Sequence, residues 1–241
     1  MNDLTPHPVA ARLAEQDWLR IAAGLDADGY AVIGPLLTET DCATLSAGFD
    51  ADTAFRNRVV MAHHGYGAGE YRYYAYPLPE LIVTLRTGLY ARLAPIANRW
   101  QSALGRPAVF PANHAAYLEQ CHAAGQTRPT PLLLRYQTGD YNRLHQDLYG
   151  ELCFPLQAAF LLDRPGDDFQ GGEFLLTEQR PRMQTRAEVV PLKRGEGVIF
   201  AVNQRPAASP RGVSGVTMRH GVSRVRSGHR HTLGIIFHDA K

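Results

Sequence analysis

The second half of the chain is divided into short apolar runs, and this division limits the possible folds more than any other feature. Eight runs of six to nine residues, separated by Gly, Pro and Asp, fill the last 110 or so residues. They are PLLLRY, RLHQDLY, FPLQAAFLL, GGEFLLT, AEVVPL, GVIFAV, VTMRHGV and HTLGIIF. Runs this short, bounded by turn residues, are typical of strands rather than helices. They predict an antiparallel barrel or sandwich.

The first half of the chain has mainly helical patterns. Apolar periodicity predicts a helix over residues 10–25, followed by a short strand over residues 30–33. Thr38 predicts the N-cap of a helix that runs to about residue 49, because its hydroxyl can accept an unpaired backbone N–H. A long helix is predicted over residues 79–103. These helices are expected to cover one sheet of the β region.

Together the two halves predict an α+β fold with a mainly β core. We expect one domain over residues 1–241, because no internal repeat or low-complexity tract interrupts the chain. In this interpretation residues 1–125 form a helical support with one or more extra strands, and residues 126–241 form the core. A chain of this length buries roughly 70% of its unfolded surface, which is enough for one sizeable core.

Residues 61–76 combine three glycines, five tyrosines and two histidines with neither the helical nor the strand period. The segment is therefore predicted to be a loop, and it is a candidate lid. Within it Arg72 and Tyr74 are candidate substrate contacts, although packing of a loop against the core would explain them equally simply.

Composition excludes several classes of protein. No apolar run approaches the roughly 18 residues of a membrane span, and no signal-like apolar run stands near the start, so we expect a cytoplasmic protein without a membrane partner. Cys42, Cys121 and Cys153 lack C-x-x-C spacing, which indicates reduced packing residues rather than a disulfide framework or a thiolate zinc site. The oligomeric state is not predicted.

Charge is unevenly distributed although the formal net charge is only +2. Arginine accounts for all but two of the basic residues, and no acidic residue stands between Glu196 and Asp239. The arginines of that stretch are Arg205, Arg211, Arg219, Arg224, Arg226 and Arg230. We expect an anionic ligand to contact this region.

The sharpest motif is an H-x-D pair in the run LHQDL. Alternate residues of a strand point to the same face, so His145 and Asp147 are expected to lie side by side. His220, 73 residues beyond Asp147 in another β-like run, is the candidate third ligand. Two imidazoles and one carboxylate on one face of Fe(II) leave the opposite positions open for O₂ and a reductant. An isolated H-x-D pair is more often a satisfied polar pair.

Two further residues suit a carboxylate ligand near this site. Arg230 stands ten residues after His220, and its permanently charged guanidinium can bind a carboxylate through two parallel hydrogen bonds. It is a good anchor for 2-oxoglutarate. Tyr136, nine residues before His145, could offer its hydroxyl to the same carboxylate or could simply fill space in the core.

Taken together, these motifs resemble those of the iron(II)- and 2-oxoglutarate-dependent oxygenases. Within that superfamily the order of motifs resembles the prolyl-hydroxylase-like branch, and the end of the chain resembles a group of bacterial proteins. The matching stretches are RYQTGDYNRLHQD, GGEFLLT, GEGVIFAV and RHGVSRVRSGHRHTLGIIF, in the family's order. The resemblance implies a double-stranded β-helix (a jelly-roll or cupin-like barrel) with N-terminal supporting helices. It also implies iron held by His145, Asp147 and His220, with 2-oxoglutarate chelating the iron and its far carboxylate on Arg230. Asp147, in place of Gly or Ala, favours hydroxylation over halogenation.

The chain departs from the family pattern in two respects. Residues 203–217 stand where close relatives have a short turn, so they are a candidate substrate loop. Several other histidines could compete as ligands, but only His220 precedes an arginine in a Gly-x-Arg context by ten residues. The roles of His229, His231 and His238 are left open, and His63, His64, His114 and His122 are expected at the surface or at helix caps.

Two substrate classes fit an enzyme that releases succinate and CO₂. The motif order favours hydroxylation of an amino acid, a peptidyl side chain or another small metabolite. The alternative is oxidative dealkylation of a nucleic-acid base, for which the arginines and the tyrosines of residues 61–76 would supply phosphate contacts and stacking surfaces. A net charge of +2 is low for a dedicated nucleic-acid binder. A non-enzymatic cupin-like protein that binds a metal or carboxylate, and a zinc hydrolase, also stay open.

Overall fold

The computed structural model describes residues 7–209 and 212–241, and these residues form five α-helices and fourteen strands. The helices are α1 (Val9–Ala14), α2 (Trp18–Asp28), α3 (Glu39–Ala47), α4 (Glu80–Ala103) and α5 (His114–Ala123). The strands are β1 (Tyr30–Ile33), β2 (Phe55–Val60), β3 (Gly67–Ala68), β4 (Glu70–Tyr74), β5 (Leu132–Gln137), β6 (Tyr141–His145), β7 (Leu156–Leu161), β8 (Phe169–Gly171), β9 (Phe174–Gln179), β10 (Arg186–Val190), β11 (Gly197–Ala201), β12 (Gln204–Ser209), β13 (Gly212–Val222) and β14 (Val225–Ile235). Short 3₁₀ turns cover Gly48–Asp50, Asp52–Ala54 and Met61–His64.

The strands form two mostly antiparallel sheets. The larger has the order β1-β11-β7-β14-β5-β4-β2, with β8 paired to β14. The smaller has the order β10-β9-β13-β6-β3, with β12 paired to β13. The prediction of helices combined with a mainly antiparallel β region is confirmed. The double-stranded β-helix and the single domain over residues 1–241 stay predictions.

Helix α4 covers one face of the larger sheet, as we predicted from the helical pattern of the first half of the chain. Its buried residues, such as Leu85 and Leu89, recur every three or four positions and form an apolar stripe. The stripe belongs to the same core as Phe160 of β7 and Leu233 of β14. The opposite face of the larger sheet contributes to a second apolar cluster, which lies around the functional site described below.

The N-terminal helices begin and end at local signals. The helix predicted over residues 10–25 is in fact two helices, because Asp17 interrupts it and caps α2 by accepting the Arg20 N–H. Helix α2 ends at Gly29, whose φ of 78° is accessible to glycine at little cost. Helix α3 begins as predicted, since Thr38 and Asp41 form a reciprocal capping box.

The segment predicted as a loop over residues 61–76 is partly a strand. Strand β4 lies inside the larger sheet, paired with β2 on one side and β5 on the other. Alternation failed as a signal because tyrosines occupy both faces of β4 and because the charged Arg72 is buried together with Tyr73 and Tyr74. Lid function for the remaining residues of this segment stays a prediction.

The candidate substrate loop over residues 203–217 is mostly strand rather than loop, and its contact with substrate stays a prediction. Its residues belong to β12 and β13, which pair in antiparallel fashion, and residues 210 and 211 lie outside the described residues. Arg205 of β12 is buried because its guanidinium is paired with the carboxylate of Glu178 on β9. A charge neutralised inside the sheet looks, in sequence, like a charge exposed on a loop.

A further correction concerns His114, which was expected at the surface or at a cap. It is only 4% exposed, and its Nε2–H donates to the carbonyl of Phe237 at 2.8 Å. Burial lowers the pKa of His114 to about 4, so the imidazole is neutral. His63, His64 and His122 are exposed.

Two composition-based expectations can be compared with the structure. Cys42, Cys121 and Cys153 have free thiols. Among the described residues, no helix combines the length and the apolar character that crossing a bilayer requires. The cytoplasmic location stays a prediction.

A buried ion pair joins α4 to the C-terminal segment. Arg86 donates to Asp239 Oδ1 at 2.7 Å and to the carbonyls of Ile236 and His238 at 2.8 and 3.2 Å. Both charged side chains are almost fully buried. Although burial opposes ionisation, Arg86 and the hydrogen bonds around it hold the pKa of Asp239 below its usual value. This pair fixes α4 against the end of the larger sheet.

Replacing Arg86→Met is expected to lower the free energy of unfolding by about 3–5 kcal/mol. The buried Asp239 carboxylate would lose its one guanidinium partner and keep only the contacts of Oδ2 with Tyr76 and His122. Urea unfolding followed by circular dichroism measures the change. The control, Arg99→Met, removes the exposed pair with Asp26, and it is expected to cost less than about 1 kcal/mol. Equal losses in the two variants would contradict the assignment.

Candidate active site

A cavity of about 530 Å³ lies between the two sheets, and we refer to it as the site cavity. Its wall is formed by β5, β7, β11 and β14 of the larger sheet and by β6, β9 and β13 of the smaller one. A cavity of this size accommodates a small organic ligand. The three preferred candidate metal ligands, His145, Asp147 and His220, lie in its wall.

The structure brings His145, Asp147 and His220 together. His145, the last residue of β6, is directly opposite His220 of β13 in the antiparallel register, and the two ring centroids are 4.2 Å apart. Asp147 follows two residues later, with one carboxylate oxygen 3.5 Å from His145 Nε2 and the other 3.4 Å from His220 Nε2. The three ligand atoms lie within 4.8 Å of one another. Two imidazoles and one carboxylate are the same donor types as in the facial triad of non-haem iron oxygenases.

Hydrogen bonds orient the first two of these side chains. His145 Nδ1 is 2.7 Å from the carbonyl of Arg143, which can only accept, so Nδ1 carries the proton and Nε2 keeps its lone pair for a metal. The hydroxyl of Tyr149 donates to Asp147 Oδ1 at 2.7 Å. Between the two ligands, the side-chain amide of Gln146 donates to the carbonyl of Met218 at 2.8 Å, which ties this turn to β13.

The local electrostatics favour the forms that bind a metal. Burial lowers the pKa of His145, and the neighbouring His220 adds to this effect. Burial opposes ionisation of Asp147, but the two histidines and the hydrogen bond from Tyr149 hold its pKa well below the usual range. A neutral imidazole beside a carboxylate is ready to bind a divalent cation without first releasing protons.

Arg230 lies in the same cavity and is only 2% exposed. It donates to Thr232 Oγ1 at 2.5 Å, but its Nε has no hydrogen-bond partner, and no carboxylate of the described residues lies within 4.0 Å of it. Gly172, with φ of 63°, leaves room for the side chain, since a Cβ there would lie 2.8 Å from Arg230 Cδ. A buried guanidinium keeps its proton even though burial lowers its pKa, so it needs an anion.

Tyr136 lies beside Arg230, as the sequence suggests. The two residues are opposite each other on β5 and β14, and the guanidinium carbon is 5.6 Å from the centroid of the ring. Tyr136 is fully buried, and burial raises its pKa to about 12 in spite of the charge of Arg230. The phenol is therefore protonated and can donate to an anion. Its role as a co-substrate contact stays a prediction.

The candidate substrate contacts Arg72 and Tyr74 lie on the wrong face of β4 to reach the site cavity. Arg72 is paired with Asp52 at 2.5 Å, and the ring of Tyr74 packs 4.7 Å from that of Phe55, on the side of the helical core. Strand parity instead directs Tyr71 into the cavity wall. The tyrosine-rich segment does contribute to the cavity, through a neighbouring residue.

The three histidines with open roles do not join the ligand cluster. His229 is exposed, and His231 Nδ1 is 3.0 Å from Asp163. His238 is buried, and its Nδ1 accepts from the N–H of Phe154 at 3.2 Å. In the part of the chain that the structure describes, the one cluster able to hold a metal is the one with His220.

The arginines of the acid-free stretch differ in their partners. Arg205 is paired with Glu178, Arg226 with Glu173 at 3.3 Å, and Arg224 donates to the carbonyl of Gly139 at 3.0 Å. Arg219 is exposed, and Arg211 lies outside the described residues. Arg230 is the member of this set that is buried in the site cavity, and the expected anion has its natural place there.

Two residues near the ligands were missed by the sequence analysis. Tyr149 stands two residues after Asp147, so extending the alternation that pairs His145 with Asp147 would have placed its hydroxyl on the same face. Gln157 is a polar residue inside the otherwise apolar run FPLQAAFLL, and it lies in the cavity wall. A lone polar residue in a fully buried strand is the signal that would have indicated it.

Comparisons with known proteins agree with this geometry. A family model described as "Oxygenase-NA: Oxygenase, catalysing oxidative methylation of damaged DNA" matches residues 69–240. Two proteins from two strains of Mycobacterium tuberculosis, both named as uncharacterized, are 51% identical to this chain over 164 residues, which is 68% of this chain and 70% of each relative.

Solved structures show the same fold at low identity. A prolyl-4-hydroxylase from Pseudomonas putida has a TM-score of 0.52 and 14% identity, covering 93% of this chain and 99% of that one. An oxidoreductase of the 2OG-Fe(II) oxygenase family from Burkholderia pseudomallei has a TM-score of 0.52 and 15% identity, covering 94% and 93%. The resemblance indicated by the motifs is confirmed.

Asp147→Ala and His220→Ala are each expected to weaken Mn(II) binding by more than about 100-fold, because loss of a direct ligand exceeds the 10- to 100-fold typical of outer partners. Isothermal titration calorimetry with Mn(II), which resembles Fe(II) but resists oxidation, measures the affinity. His229→Ala alters an exposed histidine and is the control. Wild-type affinity in Asp147→Ala would contradict the metal centre.

Proposed function

The chain belongs to the Oxygenase-NA family and is thus an oxygenase, and we propose that it works with Fe(II), 2-oxoglutarate and O₂. In this proposal His145, Asp147 and His220 hold the iron, and the two sheets form a double-stranded β-helix around it. Arg230 and Tyr136 bind the far carboxylate of 2-oxoglutarate. Support comes from the donor set at the triad and from the likeness of the fold to solved oxygenases.

The observation that carries the proposal is the buried guanidinium of Arg230, which has no carboxylate partner among the described residues. Leaving a buried charge unpaired costs on the order of several kcal/mol, so the residue is retained at the expense of stability. Its neighbours Thr232 and Tyr136 are neutral hydrogen-bonding groups that leave its charge uncompensated. A dicarboxylate that binds a metal at one end and a guanidinium at the other satisfies both parts of the site cavity.

Iron with 2-oxoglutarate and O₂ supplies, when bound, the oxidising power that removes hydrogen from the substrate, and 2-oxoglutarate leaves as succinate and CO₂. The protein contributes position and exclusion of water. Arg230 and Thr232 orient the co-substrate, and Tyr149 fixes the carboxylate of Asp147. Phe200 packs against His220, with 4.6 Å between the ring centroids, and keeps that side of the site apolar.

For the substrate, we propose an alkylated nucleic-acid base, because the family description concerns damaged DNA. Oxidation of an N-methyl group produces a hydroxymethyl group that leaves as formaldehyde. At the opening of the cavity Tyr66 is 51% exposed and stacks on His64 with 5.3 Å between centroids. Arg143, also at the opening, is exposed and has no carboxylate within 4.0 Å among the described residues. Together they offer a stacking surface and a phosphate contact.

Hydroxylation of an amino acid, a peptidyl side chain or a small metabolite is the competing proposal. The site cavity has apolar walls from Leu132, Leu134 and Ala159, which suit such a substrate as well as a base. A screen that measures succinate release separates the two classes. The likeness to a prolyl-4-hydroxylase concerns the fold and does not decide between them.

Arg230→Ala is expected to raise the Kd for 2-oxoglutarate by about 100-fold or more, because a buried charge pair would lose one partner. Anaerobic titration of the Fe(II) protein, followed by the visible charge-transfer band, measures the Kd. The control is Arg224→Ala, which alters an exposed arginine immediately before β14. An unchanged Kd in Arg230→Ala would contradict the co-substrate site, and a wild-type protein without the band would favour a zinc hydrolase or a non-enzymatic cupin.

Arg143→Ala is expected to weaken binding of single-stranded DNA and to make its salt dependence shallower. Loss of one phosphate contact lowers the slope of log K against log salt by about 0.7 for single strands. Fluorescence anisotropy between about 50 and 200 mM salt measures the slope. Arg92→Ala, an exposed arginine of α4, should keep the wild-type slope. Absence of wild-type binding at low salt would remove the nucleic-acid proposal and leave the small-molecule one.

A further inference from the structure

Gln157 has a buried side-chain amide, and the proposed mechanism assigns it no role. It is 5% exposed, lies in the wall of the site cavity, and its Oε1 has no hydrogen-bond partner among the described residues. The other five residues of β7 are apolar. An unpaired carbonyl oxygen in such a place is unfavourable by itself, so a ligand that donates a hydrogen bond to it would stabilise the protein.

Strand register places Gln157 far from Arg230. On β7 and β14, Leu161 is opposite Thr232 and Ala159 is opposite Gly234. Arg230 is two residues before Thr232, and Gln157 is four residues before Leu161 on an antiparallel strand, so the levels of the two residues differ by six. At about 3.3 Å per residue this is roughly 20 Å along the sheet. A co-substrate held by Arg230 therefore leaves the Gln157 end of the cavity for another molecule.

The metal-binding residues are near this end. Gln157 is directly opposite Phe200 on β11, and Phe200 contacts the ring of His220. Leu148 and Tyr149, the residues after Asp147, line the same cavity. A molecule that binds beside the Gln157 amide is thus close to His145, Asp147 and His220, where the proposed oxidation takes place.

The chemistry of the unpaired atom narrows the class of that molecule. Fully ionised 2-oxoglutarate has no N–H or O–H to donate, so it cannot satisfy Gln157 Oε1. The cavity wall also includes apolar surface: Tyr71 contributes a ring, Leu132 an aliphatic side chain, and Gly234 no side chain, where an added Cβ would lie 2.6 Å from Leu132 Cδ2. A planar ring with an amino group on its edge complements this wall.

We infer that Gln157 determines substrate specificity by accepting a hydrogen bond from the exocyclic amino group of an alkylated adenine or cytosine. The inference rests on the proposed nucleic-acid function and identifies the class of base. A buried acceptor rejects a ligand that lacks the donor, because the acceptor then stays unpaired. A methylated thymine, whose edge has no N–H, is therefore a poor substrate.

Single-stranded oligonucleotides that carry one 1-methyladenine, one 3-methylcytosine or one 3-methylthymine test the inference, with formaldehyde release as the measurement. The wild-type protein is expected to show a kcat/KM at least about tenfold higher for the two amino-bearing bases. Gln157→Leu should lower kcat/KM for these two by about 10- to 100-fold and bring the ratio to methylthymine close to one. Gln157→Glu keeps an acceptor and should keep the preference for amino-bearing bases.

The controls separate specificity from folding and from co-substrate binding. Gln137→Leu alters an exposed glutamine at the end of β5 and should leave the base preference at the wild-type ratio. The Kd for 2-oxoglutarate, measured by the charge-transfer band, should change less than about twofold in Gln157→Leu, given its distance from Arg230. If Gln157→Leu does not fold, Gln157→Glu and the wild-type ratio decide.

Different failures have different meanings. A wild-type ratio that persists in Gln157→Leu, or no preference in the wild-type protein, overturns the inference. A protein that forms the charge-transfer band but oxidises none of the oligonucleotides overturns the assignment of a base and leaves the oxygenase intact. A wild-type protein that forms no band with Fe(II) and 2-oxoglutarate overturns the proposed function itself.

Discussion

The antiparallel pairing of β6 with β13 is the interaction on which the site depends. It places His145 directly opposite His220, although the two residues are 75 positions apart in the chain. A slip of one residue in this register would turn His220 to the other face of its strand and remove it from the cavity. Pairing of β13 with β9 on its other side, and the hydrogen bonds of Gln146 to the β13 side of the cavity, hold the register. The geometry of the cluster of His145, Asp147 and His220 therefore depends on strand pairing more than on the three side chains themselves.

Electrostatic balance distinguishes Asp147 and Arg230, the two residues of opposite formal charge that are buried in the cavity wall. Asp147 is stabilised by the two histidines and by Tyr149, so its negative charge is accommodated without a ligand. Arg230 has only Thr232 as a side-chain hydrogen-bond partner, and its charge has no counterpart within ion-pair distance among the described residues. By contrast, the equally buried Arg86 has its carboxylate in Asp239. The difference between a structural arginine and one that awaits a ligand lies in the partner, because both are buried to the same degree.

Much of the fold and the centre of the site could be predicted from local patterns. Strand alternation predicted that His145 and Asp147 share a face, and a common β region suggested that His220 and Arg230 lie near them. The structure places all four residues in the wall of the site cavity. Strand β4, strand β12 and the first half of β13 were missed, because the buried tyrosines and Arg72 of β4 and the buried Arg205 of β12 resemble loop residues in sequence. Arg205 illustrates the reason: its polar character is cancelled by Glu178, a residue on another strand that no local pattern connects to it.

The sequence by itself determined which residue types could bind a metal and a carboxylate, since alternation along one strand is a local property. It could not determine which residues of the tyrosine-rich segment enter the cavity. Tyr71 does and Tyr74 does not, because the pairing of β4 with β2 and β5 sets the direction of each face. The same holds for Gln157: its polarity is visible in the sequence, but its unpaired oxygen and its distance from Arg230 follow only from how β7, β11 and β14 pair. Contacts between distant strands decide which polar groups find partners within the protein and which are left for a ligand.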